Sequence, residues 1–162
     1  MKEVGSGDAQ KVIRVAFATD DGEFITGKHF GDARLLKIFD FHVSGQPPYE
    51  VLEVEPVGAI RNTASDVEEK QHGAEHKAKS VISLLMKHDV DVMVALRMGP
   101  NILRVKKFFL PVIVGIENKK IDDAVSALSE GIDRIVSAFE KVRKSEGSKA
   151  DGQREFDPVF IR

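Results

Sequence analysis

The feature that most constrains the fold is a nearly continuous apolar run close to the start of the chain. Residues 12–18 have the sequence VIRVAFA, in which Arg14 is the one polar side chain. A strand with one face in water would alternate polar and apolar side chains, and this run does not alternate. We therefore expect a central strand that is covered on both faces by helices, which indicates an α/β fold.

Two more strands are predicted directly downstream of this central strand. Residues 35–43 are largely apolar, and residues 49–57 alternate as expected of a half-buried edge strand. Short connections between consecutive strands favour an antiparallel meander. The first half of the chain is therefore expected to form three neighbouring strands.

A strand–helix–strand unit is predicted in the second half of the chain. After a helix at residues 72–88, a short apolar strand at 91–96 is followed by a short helix that ends near residue 109 and by a strand at 111–116. Such a crossover makes the two strands parallel. The expected result is a five-stranded mixed sheet of order 3-2-1-4-5, with strand 2 antiparallel to the rest and helices on both faces. This is a ribonuclease H-like architecture.

The chain ends differ in composition from the predicted domain. Residues 1–10 are predicted to be a disordered leader, residues 11–143 a single domain, and residues 144–162 a polar linker with an apolar tail. A long helix at 121–142 is expected to run straight through Gly131. The apolar tail either folds back onto the domain or docks on a partner.

Charge and composition exclude several classes of partner. The 162 residues carry a net charge of −2, and no apolar run approaches the length of a membrane span. Neither nucleic acid nor a membrane is therefore an expected partner. The chain has no cysteine, which fits a reducing cytosol and removes thiolate ligands. A cytoplasmic location is predicted.

The predicted strand order brings two distant loops together. One loop, with the sequence TGKHFG, follows the central strand and carries His29, and the other is Arg97-Met-Gly-Pro-Asn101 after strand 4. The carboxyl ends of these two strands are expected to lie side by side, where ligands of open α/β sheets bind. His29 can offer a ring nitrogen to a metal or an anionic cluster. The alternative is a turn histidine that hydrogen-bonds to a neighbour.

Other residues of these loops and the following helix are further candidates. Phe30 is expected to turn inward, and Gly31 permits a tight turn. His72 and His76 are four residues apart on a predicted helix, a spacing that can chelate a metal or simply place two histidines on the surface. Met98 is either a packing residue or a ligand, and Gly99 belongs either to an anion-favouring helix start or to a tight turn.

An ordered set of short motifs carries a family resemblance. The motifs are AFATDDG at 16–22, HFG at 29–31, HG at 72–73, MGPN at 98–101 and PVIVG at 111–115. Over residues 12–142 the chain resembles the dinitrogenase iron-molybdenum cofactor biosynthesis family, the domain of nitrogenase accessory factors. The resemblance implies a non-catalytic domain that binds, carries or helps to insert an iron-sulfur or iron-molybdenum-type cluster or its precursor. A cluster donor or recipient protein is the implied partner.

The same resemblance implies roles for individual residues. His29 matches the histidine expected to bind the cluster, and His72 is expected at the rim of the pocket. Many relatives have a small residue where this chain has Arg97, which can pair with an anionic cluster or fill the pocket. Without cysteine, contact must come from imidazole, thioether or the cluster's own sulfides. The remaining residues expected to contact the cofactor are Phe30, Gly31, Met98, Gly99 and Asn101.

Two other functions compete with cluster binding. The first is a cofactor-free regulatory or protein-interaction domain, which the missing cysteine and the apolar tail favour. The second is a divalent-metal nuclease with ligands from Asp20, Asp21, Asp40 and Asp91. No basic stripe accompanies these acids, and Asp20-Asp21-Gly22 has the composition of a turn. Self-association through residues 159–161 is a further prediction.

Overall fold

The computed structural model describes the backbone of residues 2–4, 10–66, 69–146 and 155–162, and the side chains of 10–66, 75–143 and 155–162. Its strands are β1 (Lys2–Val4), β2 (Gln10–Thr19), β3 (Leu35–Val43), β4 (Val51–Arg61), β5 (Val92–Ala95), β6 (Leu110–Val114) and β7 (Val159–Ile161). Its helices are α1 (Glu69–Lys87), α2 (Ile102–Val105), α3 (Ile121–Glu130) and α4 (Ile132–Glu146).

The strands of the described residues form one sheet in the order β4-β3-β2-β5-β6-β7, and β1 pairs with the first residues of β2. Strand β3 is antiparallel to β2 and β4, whereas β5, β6 and β7 run parallel to β2. The mixed α/β architecture and the relative order of the five predicted strands are confirmed. The predicted strand count was wrong, so the five-stranded ribonuclease H-like description fits only roughly.

The two additional strands come from the ends of the chain. Lys2–Val4 pairs antiparallel with β2, where a disordered leader was predicted; residues 5–9 lie outside the described residues. At the other end, β7 pairs parallel with β6. Val159 and Ile161 are buried and Phe160 is 57% exposed, which is the alternation of a half-buried edge strand. The tail therefore folds back onto the domain.

The side chains of β2 divide the core into two layers. Ile13, Val15 and Phe17 point to one face and pack with residues of α3 and α4. Ala16 and Ala18 point to the other face, where residues of α1 and α2 pack. Alternate side chains of a strand lie on opposite faces, so a run that is apolar throughout needs cover on both. The prediction of helices on both faces is confirmed.

The long helix predicted at 121–142 is divided at Gly131. Helix α3 ends at Glu130, Gly131 has φ −95° and ψ 17°, and α4 begins at Ile132. A Cβ at Gly131 would lie 3.2 Å from Cδ1 of Ile161, so the tail packs against this break. The apolar period continues through Gly131 because both helices bury the same face, and the period alone does not reveal the break.

An arginine joins three parts of the chain at the amino end of β5. Arg14 Nε and Nη2 donate to the two carboxylate oxygens of Asp40 at 2.8 and 2.9 Å, and Nη1 donates to the carbonyl of His88 at 3.1 Å. The hydrogen bonds to Asp40 raise the pKa of Arg14, against the opposing effect of burial. Since Asp40 is only 8% exposed, this bidentate pair is a structural element of the sheet.

Candidate functional site

The candidate site lies at the edge of the sheet where β2 and β5 end. These strands are parallel neighbours, with Val15 opposite Val92, so the loops that leave them emerge at the same edge. After β2 the chain passes through a turn and reaches His29, which precedes a 3-10 helix at Phe30–Asp32. After β5 it forms the turn that leads to α2. The order of the strands thus accounts for the position of both loops.

The imidazole of His29 packs against the turn that follows β5. A Cβ placed on Gly99 would stand 2.9 Å from Nδ1 of His29 and 3.1 Å from its Cγ. Real Cβ atoms do not approach other atoms this closely, so any residue larger than glycine at 99 would displace the ring. The two loops that the sequence predicted to converge therefore lie in direct contact.

The neighbours of the His29 ring indicate its tautomer. Arg97 Nη2 lies 3.4 Å from Nε2, and Asp32 Oδ2 lies 3.9 Å from Nδ1. A guanidinium can only donate hydrogen bonds, so its contact requires a lone pair on Nε2. The proton of the neutral ring then belongs on Nδ1, the nitrogen nearer the carboxylate. In this tautomer the lone pair that a metal would bind lies on Nε2 and faces the Arg97 guanidinium.

A buried lysine that sequence reasoning missed completes the site. Lys77, on α1, is only 7% exposed, and its Nζ contacts Oδ1 of Asp32. A lysine in an amphipathic helix is ordinarily expected on the solvent-facing side. Lys77 is nevertheless four residues before Val81, which places both on the inner face of α1. In the sequence, the four-residue spacing from Val81 could have indicated that Lys77 faces inward. Asp32, three residues after His29, could have been recognised as its ion-pair partner.

These residues surround a small cavity of about 40 Å³ that opens to solvent. Its polar lining comes from His29, Asp32 and Lys77, and Gly99 and Asn101 border it at the β5 loop. Apolar side chains form much of the rest of the lining, namely Phe30, Val81, Met93, Met98, Ile102 and Val105. Phe30 is 2% exposed, so it does turn inward as predicted. Gly31 also borders the cavity, next to Val81.

The loop that carries His29 is held by Asp20. Thr26 Oγ1 donates to Asp20 Oδ2 at 2.9 Å, Lys28 Nζ lies 3.2 Å from the same oxygen, and the Arg34 backbone N–H donates to Oδ1 at 3.0 Å. Partial burial is the largest influence on the pKa of Asp20 and raises it, but these hydrogen bonds together outweigh burial and lower the pKa. One carboxylate thus fixes the loop on both sides of His29.

The other histidines do not add a ligand among the described side chains. The side chain of His72 lies outside the described residues, so its predicted place at the rim stays a prediction. His76 is exposed and borders a different surface groove. His42 Nε2 lies 3.0 Å from Glu55 on the sheet. Among the described side chains, no group of three or more His, Cys, Asp or Glu residues could hold a metal ion.

The acids of the nuclease alternative have separate structural roles. Asp20 holds the His29 loop, and Asp21 Oδ1 accepts two backbone N–H groups of its own turn, hydrogen bonds that lower its pKa. Asp40 pairs with Arg14, and Asp91 accepts the Arg14 backbone N–H at 2.9 Å. These carboxylates lie at two ends of the sheet, so they do not form the two-metal centre that this alternative requires.

The sequence of this site and its supporting strands matches a known family. The model of the dinitrogenase iron-molybdenum cofactor family matches residues 11–131, more than half of the chain. The chain belongs to the dinitrogenase iron-molybdenum cofactor family. Membership supports a role in the biosynthesis or handling of that cofactor.

The family match has a clear relation to the structure. It begins in β2 and ends at Gly131, so it contains both loops of the site and leaves out α4 and β7.

No match was found among curated proteins. Within the described residues, no helix has both the length and the apolar character that crossing a membrane requires.

Proposed function

We propose that this protein binds a preassembled anionic iron-sulfur or iron-molybdenum-type cluster, or its precursor, and passes it between partner proteins without catalysing a reaction. The observation that carries the proposal is the contact between His29 and the Gly99 turn at the mouth of a partly apolar cavity. This arrangement offers one imidazole nitrogen at an open site. Family membership supports cofactor handling as the setting.

The donor set supports a preassembled cluster in preference to free iron. The described cavity lining has one imidazole and the thioethers of Met93 and Met98, and the chain has no thiolate. A single iron ion needs several protein ligands, and no such group exists among the described side chains. A cluster already carries its sulfides, so one imidazole and favourable electrostatics can hold it. His72 is proposed as an additional ligand at the rim.

The charges beside the cavity favour an anionic guest. Lys77 and Asp32 of the cavity lining form an ion pair, and Arg97, against the His29 ring, adds one positive charge beside them. The apolar lining lowers the local dielectric constant and strengthens the attraction of an anion to these cations. Arg97 lies against Nε2 of His29, so we expect the guanidinium to move when an iron atom binds that nitrogen.

The proposed carrier role rests on reversible binding. A single imidazole ligand can be exchanged more easily than a set of thiolates, which suits a protein that receives a cluster and releases it. Nothing in this scheme requires bond making or breaking within the cluster. A cluster donor or recipient protein in the cytoplasm is the partner that the proposal requires.

An anaerobic titration tests the proposal. The purified protein would be mixed with isolated iron-molybdenum cofactor or with a thiolate-ligated [4Fe–4S] complex, and bound iron and molybdenum would be measured after desalting. We expect about one cluster per chain for the wild type, and a loss of at least about tenfold in affinity for His29→Ala. His42→Ala is the matched control, because it also removes an imidazole but lies outside the cavity.

Two results would contradict the proposal. Equal binding by His29→Ala and the wild type would show that the imidazole is not the ligand. The absence of binding to either cluster probe by the wild-type protein would favour the alternative of a cofactor-free regulatory domain with the same fold.

A further inference from the structure

A second groove lies beside the cavity, between α1 and α2. The half-buried Ile82 of α1 and Phe108, just after α2, form its apolar surface, and the fully buried Ala78 also borders the groove. Phe108 is 46% exposed. Exposed apolar side chains that are grouped in a concave surface commonly mark a place where another protein binds.

The rim of this groove is positively charged. Lys79, Arg104 and Lys107 border it, and Glu75 is the one carboxylate among its described lining residues. Glu75 lies 3.6 Å from Lys79 and offsets that charge. Arg104 and Lys107 remain as a positive pair beside Phe108. This local excess contrasts with the net charge of −2 of the whole chain.

The same two helices, α1 and α2, border both the groove and the cavity, with different residues on each. On α1, Lys77 and Val81 border the cavity, whereas Ala78, Lys79 and Ile82 border the groove. On α2, Ile102 and Val105 border the cavity, and Arg104 lies on the groove side. Arg104 Nη1 also lies 3.4 Å from Oδ1 of Asn101, a residue of the cavity. A protein bound in the groove would therefore lie directly beside the proposed cluster site.

We infer that this groove is a docking surface for an acidic amphipathic helix of the protein that exchanges the cluster. The inference rests on the proposed function for the identity of the partner, and on the groove itself for the chemistry of the contact. Apolar side chains of the helix would pack on Ile82 and Phe108, and its carboxylates would face Arg104 and Lys107. A second copy of the chain is disfavoured, because a symmetric contact would bring these same cations together. A flat lipid surface fits a concave groove poorly.

A designed peptide tests the chemistry of the groove. The probe is a helical peptide of about 20 residues with leucines along one face and glutamates along its flanks. Its control has the same composition with the leucines scrambled around the helix. Fluorescence anisotropy would give the affinities, and amide chemical shifts would locate the binding surface. We expect the probe to bind more tightly than its control and to shift the amides of residues 75–83 and 103–108.

Charge reversal in the groove provides the matching protein variants. Arg104→Glu combined with Lys107→Glu should weaken peptide binding by about tenfold or more. Lys119→Glu combined with Lys120→Glu is the control, because both lysines are exposed and do not line the groove. Phe108→Ala should also weaken binding, since it removes apolar contact area.

Several results would overturn the inference. Equal affinity for the ordered and scrambled peptides, or equal binding by the two charge-reversed proteins, would show that the groove does not select an acidic amphipathic helix. Self-association, or binding to anionic phosphatidylserine vesicles, that is abolished only by the Arg104/Lys107 variant would assign the groove another occupant. The cluster titration separates this inference from the proposed function, because Phe108→Ala changes no charge, lies outside the cavity lining and should still bind cluster as the wild type does.

Discussion

The imidazole of His29 occupies the space that a side chain at Gly99, a residue of a separate loop, would need. The distance of 2.9 Å between Nδ1 and a Cβ placed on Gly99 leaves no room for a side chain. The position of the proposed ligand therefore depends partly on the absence of a side chain at residue 99. Glycine at 99 is required by this approach of the ring and not by an unusual backbone angle, since its φ lies outside the left-handed region.

Replacement of Gly99 by alanine should weaken cluster binding while leaving the protein folded. The added methyl group displaces the His29 ring, and we expect an affinity loss of about 10-fold to 100-fold, the range seen when the orientation of a metal ligand is disturbed. Gly27→Ala is the matched control, because a Cβ at that position meets no atom within 4 Å. Anaerobic titration gives both affinities. Equal binding by the two variants would contradict the proposed role of the contact.

Replacement of Lys77 by methionine should lower the affinity for an anionic cluster by about tenfold. The change keeps the packing of the long side chain but removes a positive charge, so the described charges beside the cavity fall from a sum of +1 to zero. Lys79→Met on the same helix removes an exposed charge and should have a much smaller effect. The prediction fails if the Lys79 variant loses as much affinity as the Lys77 variant.

The contribution of Asp20 to stability should depend on pH. Its pKa is lowered from the ordinary 3.8 in the folded state, so its stabilising effect is present above about pH 4 and is lost as the pH falls through the folded pKa. The urea midpoint of Asp20→Asn should therefore lie below that of the wild type at neutral pH, and the difference should shrink below about pH 4. A difference that stays constant down to acid unfolding would exclude this linkage.

The Arg14–Asp40 pair should affect stability without affecting the site. Arg14→Leu leaves the buried carboxylate of Asp40 without its guanidinium, and we expect a loss of about 2 to 3 kcal/mol in the free energy of unfolding. Arg61→Leu removes an exposed ion pair with Asp66 and should cost less than about 0.5 kcal/mol. Urea unfolding measures both values. Cluster affinity should match the wild type in each variant, and a loss in Arg14→Leu alone would contradict this separation.

The C-terminal segment should stabilise the domain through one phenylalanine. Phe156 is 1% exposed and packs edge-on against Phe139, with ring centroids 5.3 Å apart. Phe156→Ala should lower the free energy of unfolding by about 3 to 4 kcal/mol. Phe160→Ala, at the 57% exposed neighbour on β7, should change it by less than about 0.5 kcal/mol. Similar effects of the two substitutions would show that the tail does not pack as described.

The central part of the fold could be predicted because local patterns agree there with the final structure. The apolar run of β2 indicated cover on both faces, and β3 has the predicted bounds, Leu35–Val43. Strand β7 could not be assigned in this way. It is three residues long, it follows a polar segment, and its pairing with β6 depends on chain packing that no local period reveals.

The site also combines features that the sequence pattern indicates with features that depend on chain packing. The convergence of His29 with Gly99 followed from strand order alone. The burial of Lys77 did not, because a lysine within a helix is normally taken as solvent-exposed, and its position depends on Asp32 from a different loop. Asp20 was predicted to be a turn residue. Its hydrogen bonds on both sides of His29 could be recognised only from the positions of Thr26 and Arg34 in the structure.

The unequal side chains of β2 have a consequence for how this protein can change. Bulky Val15 and Phe17 fill the layer under α3 and α4, whereas small Ala16 and Ala18 face the layer with α1 and the His29 loop. One side of this strand therefore packs with helices that do not border the cavity, and the other side packs with elements that do. Under the proposed function, substitutions beneath α3 and α4 would alter stability with little effect on which cluster the chain accepts.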